Sequence, residues 1–293
     1  MQFSIITPSF RASDWLKLCI PSVADQGVEL EHIVQDSVSD DGTLDWLPQD
    51  RRVKAYIEKD RGMYDAVNRG LRKARGEYLA YINCDEQYLP GALKAVAAFF
   101  QKHPDVELIF SDALVVNPDG SFNCFRKVQR PWESHARVSA LCTLTCSMFF
   151  RRSLIDERNL FFDDRYRDLG DVDWTIRVLH QGVRIKIMRH YTSIFTETGD
   201  NMNLKPNAMR ERAEFYASCP LWVRAARPLI NKAYQTSRFL QGGFFEKPLS
   251  YSIYTKSSPE KRVTFDVAKP TPFWNRVPLN EASRPTATSL SSS

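Results

Sequence analysis

No part of this sequence limits its possible folds as tightly as the apolar run from Tyr78 to Ile82, which ends abruptly in Asn83-Cys84-Asp85-Glu86. Five apolar or aromatic residues in succession, with Gly76 shortly before them, predict a buried strand. Two carboxylates directly after a buried strand cost free energy unless a cation or hydrogen-bond donors meet them. In an open α/β sheet, ligands bind at the carboxyl ends of the strands. We therefore expect a metal ion, or a polar ligand that carries one, at this strand end.

Apolar runs alternate with amphipathic stretches through residues 1–112. The amphipathic stretches repeat their apolar residues at helical spacing, as Leu93, Val96 and Phe100 do. Strands that alternate with helices predict an α/β fold with a Rossmann-like, doubly wound and mostly parallel sheet. The predicted strands are residues 3–7, 32–34, 53–57, 78–82 and 106–110.

The pattern changes after residue 112. Asn117-Pro118-Asp119-Gly120 lies between two apolar runs and predicts a hairpin. A helix is predicted from Asp171 to about His180, and a helix broken near Pro228 is predicted from Trp222 to Leu240. Ser39-Asp40-Asp41-Gly42-Thr43 predicts a turn that opens a further helix, and no clear periodicity follows residue 243. The predicted divisions are residues 1–112 and 113–205, a helical and irregular C-terminal extension at 206–282, and a disordered tail at 283–293.

Composition excludes several classes of protein. No apolar run is long enough to span a bilayer, and the first residues lack the basic region of a signal peptide, so a cytoplasmic location is expected. The six cysteines include no C-x-x-C pair, which favours buried free thiols over a disulfide or zinc site. The net charge of +5 is uneven, because residues 201–293 carry 14 lysines and arginines against 6 acidic residues. This basic segment lacks a nucleic-acid module, so it is either a solvated face or one that meets an anionic surface.

Three of the predicted strands are followed by carboxylates, at Asp36, Asp60 and Asp85. In a parallel sheet these strand ends converge on one edge, where like charges repel unless a cation lies among them. The sequence contains neither G-x-G-x-x-G nor G-x-x-x-x-G-K-[ST], so phosphates would be held through a divalent metal and a few arginines. Asp85 and Glu86 offer the hard oxygen ligands that magnesium and manganese prefer.

Five segments, in order, resemble glycosyltransferase family 2, whose members are inverting nucleotide-sugar transferases of the GT-A fold. The similarity covers about residues 3–200. The segments are Thr7-Pro8-Ser9-Phe10, which resembles T-P-[ST]-[FY]; residues 36–43, which resemble D-x-x-S-x-D-G-[ST]; residues 60–70, which resemble D-x-G-x-Y-D-A-x-N-x-G; Asn83-Cys84-Asp85-Glu86, in the place of N-x-D-D; and residues 149–152, 163 and 170–174, which resemble the acceptor-side segment.

The resemblance implies a role for each matching position. Residues 1–112 would bind the donor, and residues 113–205 would carry the acceptor side with the catalytic base. The implied roles are Thr7, Pro8 and Asp36 on the nucleotide base; Asp60, Arg61, Asp65 and Asn68 around the base and ribose; Asp85 on ribose or metal; Glu86 on metal; and Asp171 as the catalytic base.

Two positions depart from the family pattern. Glu86 stands where the family usually has Asp, and Gly170 stands where a Glu often precedes the base. Asp173 is therefore a second candidate for the base. On a helix Asp171 and Asp173 face about 200° apart, so only one can face a cleft. A carboxylate at the helix N-terminus is kept ionised by the helix dipole, which favours Asp171.

The resemblance implies a metal-dependent inverting glycosyltransferase, with magnesium or manganese as cofactor. It would move a hexosyl or N-acetylhexosaminyl group from a nucleoside-diphosphate sugar, most often a UDP sugar, to a glycan or lipid-linked acceptor in cell-surface polysaccharide synthesis. The alternative is a catalytically inactive nucleotide- or glycan-binding module of the same fold. The stretch from Trp222 to Leu240 is predicted either to contact the inner face of the plasma membrane peripherally or to dock on protein. The sugar, acceptor, donor base and oligomeric state are left open.

Overall fold

A nine-stranded sheet lies at the centre of the structure, a computed structural model that describes residues 1–139, 141–199 and 206–276. Its first half holds four parallel strands in the order β3-β2-β1-β4. These strands confirm the predicted parallel arrangement, and their carboxyl ends share one edge. They are β1 (Phe3–Ser9), β2 (Leu30–Asp36), β3 (Lys54–Ile57) and β4 (Tyr78–Tyr81).

The second half of the sheet is mixed. Strand β8 (Met148–Arg151) runs antiparallel between β4 and β6 (Leu108–Val116), so the predicted fifth strand is not the direct neighbour of β4. Strand β8 fits there because its apolar residues serve both faces of the sheet, with Phe150 in one core and Phe149 in the other. The remaining strands are β5 (Gln87–Tyr88), β7 (Phe122–Arg126), which forms the predicted hairpin with β6, and β9 (Ile185–Thr196), parallel to β6.

Helices cover both faces of the sheet. One core packs α2 (Met63–Lys73) and α6 (Gly170–His180) against the sheet through Tyr64, Val67 and Trp174. The opposite core packs α1 (Ser13–Ala24) and α3 (Ala92–Lys102) through Val23 and Phe100. The other helices are α4 (Glu133–Val138), α5 (Ser153–Asp156), α7 (Pro206–Ser218), α8 (Leu221–Ala225) and α9 (Arg227–Leu240).

Two local expectations differ from the structure. The helix predicted after Thr43 is only a pair of 3₁₀ turns, Thr43–Asp45 and Leu47–Gln49, because Pro48 lacks the N–H that a continuing helix needs. The irregular stretch predicted after residue 243 contains the hairpin β10 (Leu249–Thr255) and β11 (Ser258–Val267). Tyr251 and Ile253 alternate into a third core with β6 and β9, and that contact stabilises the hairpin.

Other expectations concern the ends of elements and of the chain. The predicted break near Pro228 is confirmed, since α8 ends at Ala225 and α9 begins with this proline in its first turn. The division at residue 112 falls inside β6. Residues 283–293 lie outside the described residues, so the predicted tail stays a prediction. Within the described part of the chain, no helix has the length and apolarity needed to cross a membrane.

Candidate active site

A cleft of about 1480 Å³ opens along the carboxyl ends of the parallel strands and reaches the N-terminus of α6. It brings together half of the site residues predicted from the sequence. The residues that line it are Pro8, Asp60, Arg61, Asp85 and Asp171. The other five do not line the cleft and lie buried or nearly buried behind its wall: Thr7, Asp36, Asp65, Asn68 and Glu86.

Asp36 forms a buried hydrogen-bond junction behind the cleft. Its carboxylate accepts from Ser9 Oγ at 2.8 Å and from the backbone N–H and Oγ of Ser39, both at 2.8 Å. Thr7 Oγ1 lies 2.8 Å from His32 Nε2, and burial lowers the pKa of His32 to about 3. The imidazole is therefore neutral at physiological pH. These contacts fix the ends of β1 and β2. Ser9, which takes part in them, also lines the cleft.

Asp65 and Asn68 hold the start of α2 and the segment that packs on it. Asp65 accepts from the Arg61 backbone N–H at 3.1 Å and from Arg69 Nη2 at 3.0 Å. Asn68 donates from Nδ2 to the Phe162 carbonyl at 2.7 Å and accepts from the Phe162 N–H at 2.9 Å. A buried polar pair satisfied in both directions is costly to break, so Asn68 ties α2 to the chain leading to α6.

Asp60 and Arg61 form the turn before α2, at the cleft surface. Asp60 Oδ1 accepts from the Gly62 N–H at 2.9 Å, and its own N–H donates to Ser37 Oγ at 3.2 Å. Burial raises the pKa of Asp60. Arg61 is exposed and forms ion pairs with Asp65 and with Asp164.

Asp85 and Glu86 differ sharply in exposure. Asp85 is partly exposed in the cleft, whereas Glu86 is 1% exposed beneath it and accepts from the Asn83 N–H at 2.8 Å through Oε2. Within the described residues, Glu86 Oε1 has no hydrogen-bond partner. Burial raises the pKa of both carboxyls, and the charge of Asp85 raises that of Glu86 further.

The pair fits a divalent metal only if a ligand supplies further oxygens. In the described parts of the chain, no cluster of three or more His, Cys, Asp or Glu side chains could hold an ion by itself. Magnesium commonly binds one or two carboxylates and completes its shell with substrate phosphates. A partly exposed Asp85 above an orphaned buried carboxyl oxygen matches that arrangement.

Asp171 lies in the first turn of α6, with its carboxylate in the cleft. Its Oδ1 accepts from the Val172 N–H at 2.8 Å and lies 3.4 Å from the Tyr64 hydroxyl. Burial raises the pKa of Asp171 to about 6. Asp173 instead pairs with Arg177 Nε at 2.7 Å and does not line the cleft. Of the two candidate bases, the cleft therefore contains Asp171.

Gly170 leaves room for the ring of Tyr64. A Cβ at this position would lie 2.7 Å from two carbons of that ring, which is closer than van der Waals contact allows. Tyr64 accepts from the Asp171 N–H at 3.1 Å, so the ring must stay close to orient α6. A side chain at residue 170 would therefore require the Tyr64 ring to move.

Two residues that support or line the cleft gave no signal in the sequence. Glu211 of α7 is 3% exposed and accepts from the backbone N–H groups of Arg167, Asp168 and Leu169 at 2.8, 3.1 and 2.9 Å. It thereby holds the loop that presents Asp171. Trp274 lines the cleft near the C-terminus and donates from Nε1 to Glu197 at 2.6 Å. Both contacts join residues far apart in sequence, so no local motif could reveal them.

Comparison with known proteins gives concordant results. The model of the family described as Glycosyl transferase family 2 matches residues 4–157. The PGL/p-HBAD biosynthesis glycosyltransferase of Mycobacterium tuberculosis (strain ATCC 25177 / H37Ra) is 31% identical over 189 residues, which cover 60% of this chain and 68% of that protein. The poly(ribitol-phosphate) beta-N-acetylglucosaminyltransferase TarS of Staphylococcus aureus is 25% identical over 197 residues, which cover 64% of this chain but only 34% of TarS.

Two solved structures share the fold. The crystal structure of S. aureus TarS 1–349 in complex with UDP-GlcNAc matches with a TM-score of 0.61 and 20% identity, covering 82% of this chain and 74% of that one. The mannosyltransferase PcManGT from Pyrobaculum calidifontis in complex with GDP-Man and Mn²⁺ matches with a TM-score of 0.53 and 18% identity, covering 83% and 79%. These likenesses confirm the predicted fold class.

Proposed function

Because this chain belongs to glycosyl transferase family 2, a family of transferases, we propose that it transfers a sugar, with inversion, from a nucleoside-diphosphate sugar to a hydroxyl of a glycan or lipid-linked acceptor. The observation that carries the proposal is that one cleft contains both Asp85 and Asp171. The first is suited to a metal-bound diphosphate, and the second to an acceptor hydroxyl.

Asp171 would act as the general base. Val172 and Tyr64 both contact Oδ1, so Oδ2 is the oxygen that would meet the acceptor hydroxyl. As the hydroxyl oxygen attacks the anomeric carbon, its proton passes to Asp171 and the bond to the diphosphate breaks on the opposite face. A base with a pKa of about 6 is largely ionised at neutral pH and still accepts a proton readily.

Asp85, with Glu86 beneath it, would hold a divalent ion together with the donor diphosphate. When bound, the ion would supply Lewis-acid stabilisation of the departing diphosphate. PcManGT, which shares this fold, was solved in complex with GDP-Man and Mn²⁺, which supports a metal together with a nucleotide-sugar donor. Asp85 would be the more direct ligand of the two, since it lines the cleft, whereas Glu86 lies buried beneath it.

The nucleoside would lie along the ends of β1, β2 and β3. Pro8, Asp60 and Arg61 line this part of the cleft. Asp36 would act on the base through Ser9, which lines the cleft and whose hydroxyl donates to the Asp36 carboxylate. The residues behind the wall would keep this surface in place: Thr7, Asp65 and Asn68.

The substrates proposed follow the relatives. TarS was solved with UDP-GlcNAc, which supports a UDP sugar as donor and a hexosyl or N-acetylhexosaminyl group as cargo. The relatives are named for a poly(ribitol-phosphate) transferase and for PGL/p-HBAD biosynthesis, which supports an acceptor among cell-surface polymers or glycolipids.

The test is nucleotide release from a panel of UDP, GDP and dTDP sugars with Mn²⁺, offered with cell-envelope glycan and glycolipid acceptors. Asp171→Asn should lower turnover by roughly 100- to 10,000-fold, and Asp173→Asn is the matched control that should retain it. Nucleotide binding without turnover in the wild type would instead identify a binding module. Undiminished turnover in Asp171→Asn would overturn the assignment of the base.

A further inference from the structure

The segment of residues 221–245 exposes an unusual amount of apolar surface. Thirteen large hydrophobic side chains are exposed among the described residues, and nearly half of them lie in this short segment. Each of the six is more than half exposed: Leu221, Trp222, Leu229, Phe239, Leu240 and Phe245. Scattered apolar side chains need no explanation, but a concentration of this kind marks an interaction surface.

Helix α9 orders part of this surface into a stripe. Leu229, Ala233 and Leu240 follow helical spacing and, with Lys232 and Thr236, border a shallow groove of about 760 Å³. Tyr234, on the opposite face of the helix, is buried. The apolar stripe is therefore the outer face of a helix whose inner face already has its partners.

The charge of the segment has one sign. Residues 221–245 contain four basic residues and no acidic residue. Lys232 is exposed in the groove with Leu229, and Arg227 is exposed with its guanidinium carbon 5.6 Å from the Tyr216 ring centroid. Arg238 is 7% exposed, and its guanidinium carbon lies 4.5 Å from the Phe244 ring centroid. Exposed apolar side chains flanked by cations, with tryptophan among them, are typical of helices that lie on anionic membranes.

A single short helix separates this surface from the cleft. Ala136 and Arg137 of α4 line the cleft. Val138 of the same helix packs with Cys219 and with Val223 of α8. His135 stacks on Tyr234 of α9 with ring centroids 3.8 Å apart. If α8 and α9 dock on another surface, the side of the cleft that α4 lines would therefore face molecules on that surface.

We propose that α8 and α9 dock this protein on a bilayer that contains anionic lipids, with Trp222, Leu229 and Leu240 in the interface and Arg227 and Lys232 on the headgroups. The consequence, which rests on the proposed function, is that a lipid-linked acceptor enters the cleft past α4. Membrane docking itself does not depend on that function.

Co-sedimentation of the full chain with vesicles tests the proposal. The wild type should bind vesicles of phosphatidylcholine with 30% phosphatidylglycerol. Its affinity for vesicles of phosphatidylcholine alone, or for the anionic vesicles in high salt, should be at least about tenfold lower. Leu229→Ser/Leu240→Ser should lose at least about tenfold in affinity for the anionic vesicles. The matched control, Ile57→Ser/Phe273→Ser, removes two exposed apolar side chains elsewhere and should bind as the wild type does.

Three results would overturn the proposal. The first is wild-type affinity for vesicles in the α9 variant, and the second is no binding of the wild type to either vesicle. The third is a wild-type dimer that does not bind vesicles and that the α9 substitutions convert to a monomer, because the surface would then join two copies of the chain. Stabilisation by UDP, measured on the same variants, separates this proposal from the enzymatic one, since docking can fail while nucleotide binding persists.

Discussion

Burying the carboxyl of Asp171 costs free energy of folding, but the same burial gives it a pKa that suits a general base. Burial raises its pKa to about 6, so the folded protein binds the proton more tightly than the unfolded chain does. The contribution of Asp171 to the free energy of unfolding must therefore fall as the pH rises from about 4 to 6 and stay lower above that range. The hydrogen bonds from Val172 and Tyr64 offset part of this cost.

Replacing Asp171 by Asn should lower the activity and raise the stability of the protein. The amide keeps an acceptor for the Val172 N–H and removes the buried charge, so the variant should be more stable than the wild type by about 1–3 kcal/mol at pH 7.5. The gain should vanish near pH 4, where the wild-type carboxyl is protonated. Urea denaturation at the two pH values measures both effects. A variant less stable than the wild type at pH 7.5 would show that the charge of Asp171 stabilises the fold.

The sequence predicted the identity of the site residues better than their orientation. Asp60 and Asp85 were expected at one edge of the sheet, and they line one cleft together with Asp171, the predicted base. Asp36 and Asn68 come from the same motifs, but their side chains turn inward to Ser39 and Phe162. Whether a residue at a strand end faces solvent or the neighbouring loop depends on partners distant in the chain, and spacing within a motif does not contain them.

Contacts between elements decide how the cleft keeps its shape. Glu211 of α7 satisfies three successive backbone N–H groups in the loop before α6 and is buried with them. A buried carboxylate that accepts several N–H bonds is a strong and specific clamp. The C-terminal region thus supports the half of the molecule that carries Asp171, although it lies outside the segment that the family model matches.

Glu211→Gln should loosen that loop. The amide nitrogen would face backbone donors, which should cost about 1–3 kcal/mol of stability and accelerate hydrogen exchange of the amides at 167–169. Glu214→Gln, on the same helix but largely exposed, is the matched control and should change neither quantity. Equal stability and exchange in the two variants would show that α7 does not hold the loop.

Strands and turns that have a local signal in the sequence could be predicted. Strands whose place depends on contacts with distant parts of the chain could not. The parallel strands β1 to β4 and the hairpin at Asn117 follow from local signals in the sequence. Strand β8 could not be placed between β4 and β6, because its pairing joins residues about 40 and 70 positions away. The β10–β11 hairpin was missed for a similar reason, since only its packing on β6 and β9 makes its short alternation stable.

At the scale of the whole molecule, two halves of one sheet and a C-terminal region enclose a single cleft. The parallel strands supply Asp85, α6 supplies Asp171, and the chain returns to the cleft at Trp274. A cleft of about 1480 Å³ has room for a donor and an acceptor together.

Thermal unfolding with UDP, in the presence and absence of Mn²⁺, decides whether this cleft is a metal-dependent donor site. UDP with Mn²⁺ at about 100 times its dissociation constant should stabilise the wild type by roughly 2.7 kcal/mol, a rise of several degrees. Asp85→Asn should abolish the metal-dependent part, Glu86→Gln should show whether the buried carboxyl is also a ligand, and the exposed Glu260→Gln is the control. If no nucleotide stabilises the protein with or without metal, the cleft is not a nucleotide-sugar site and the proposed function is wrong.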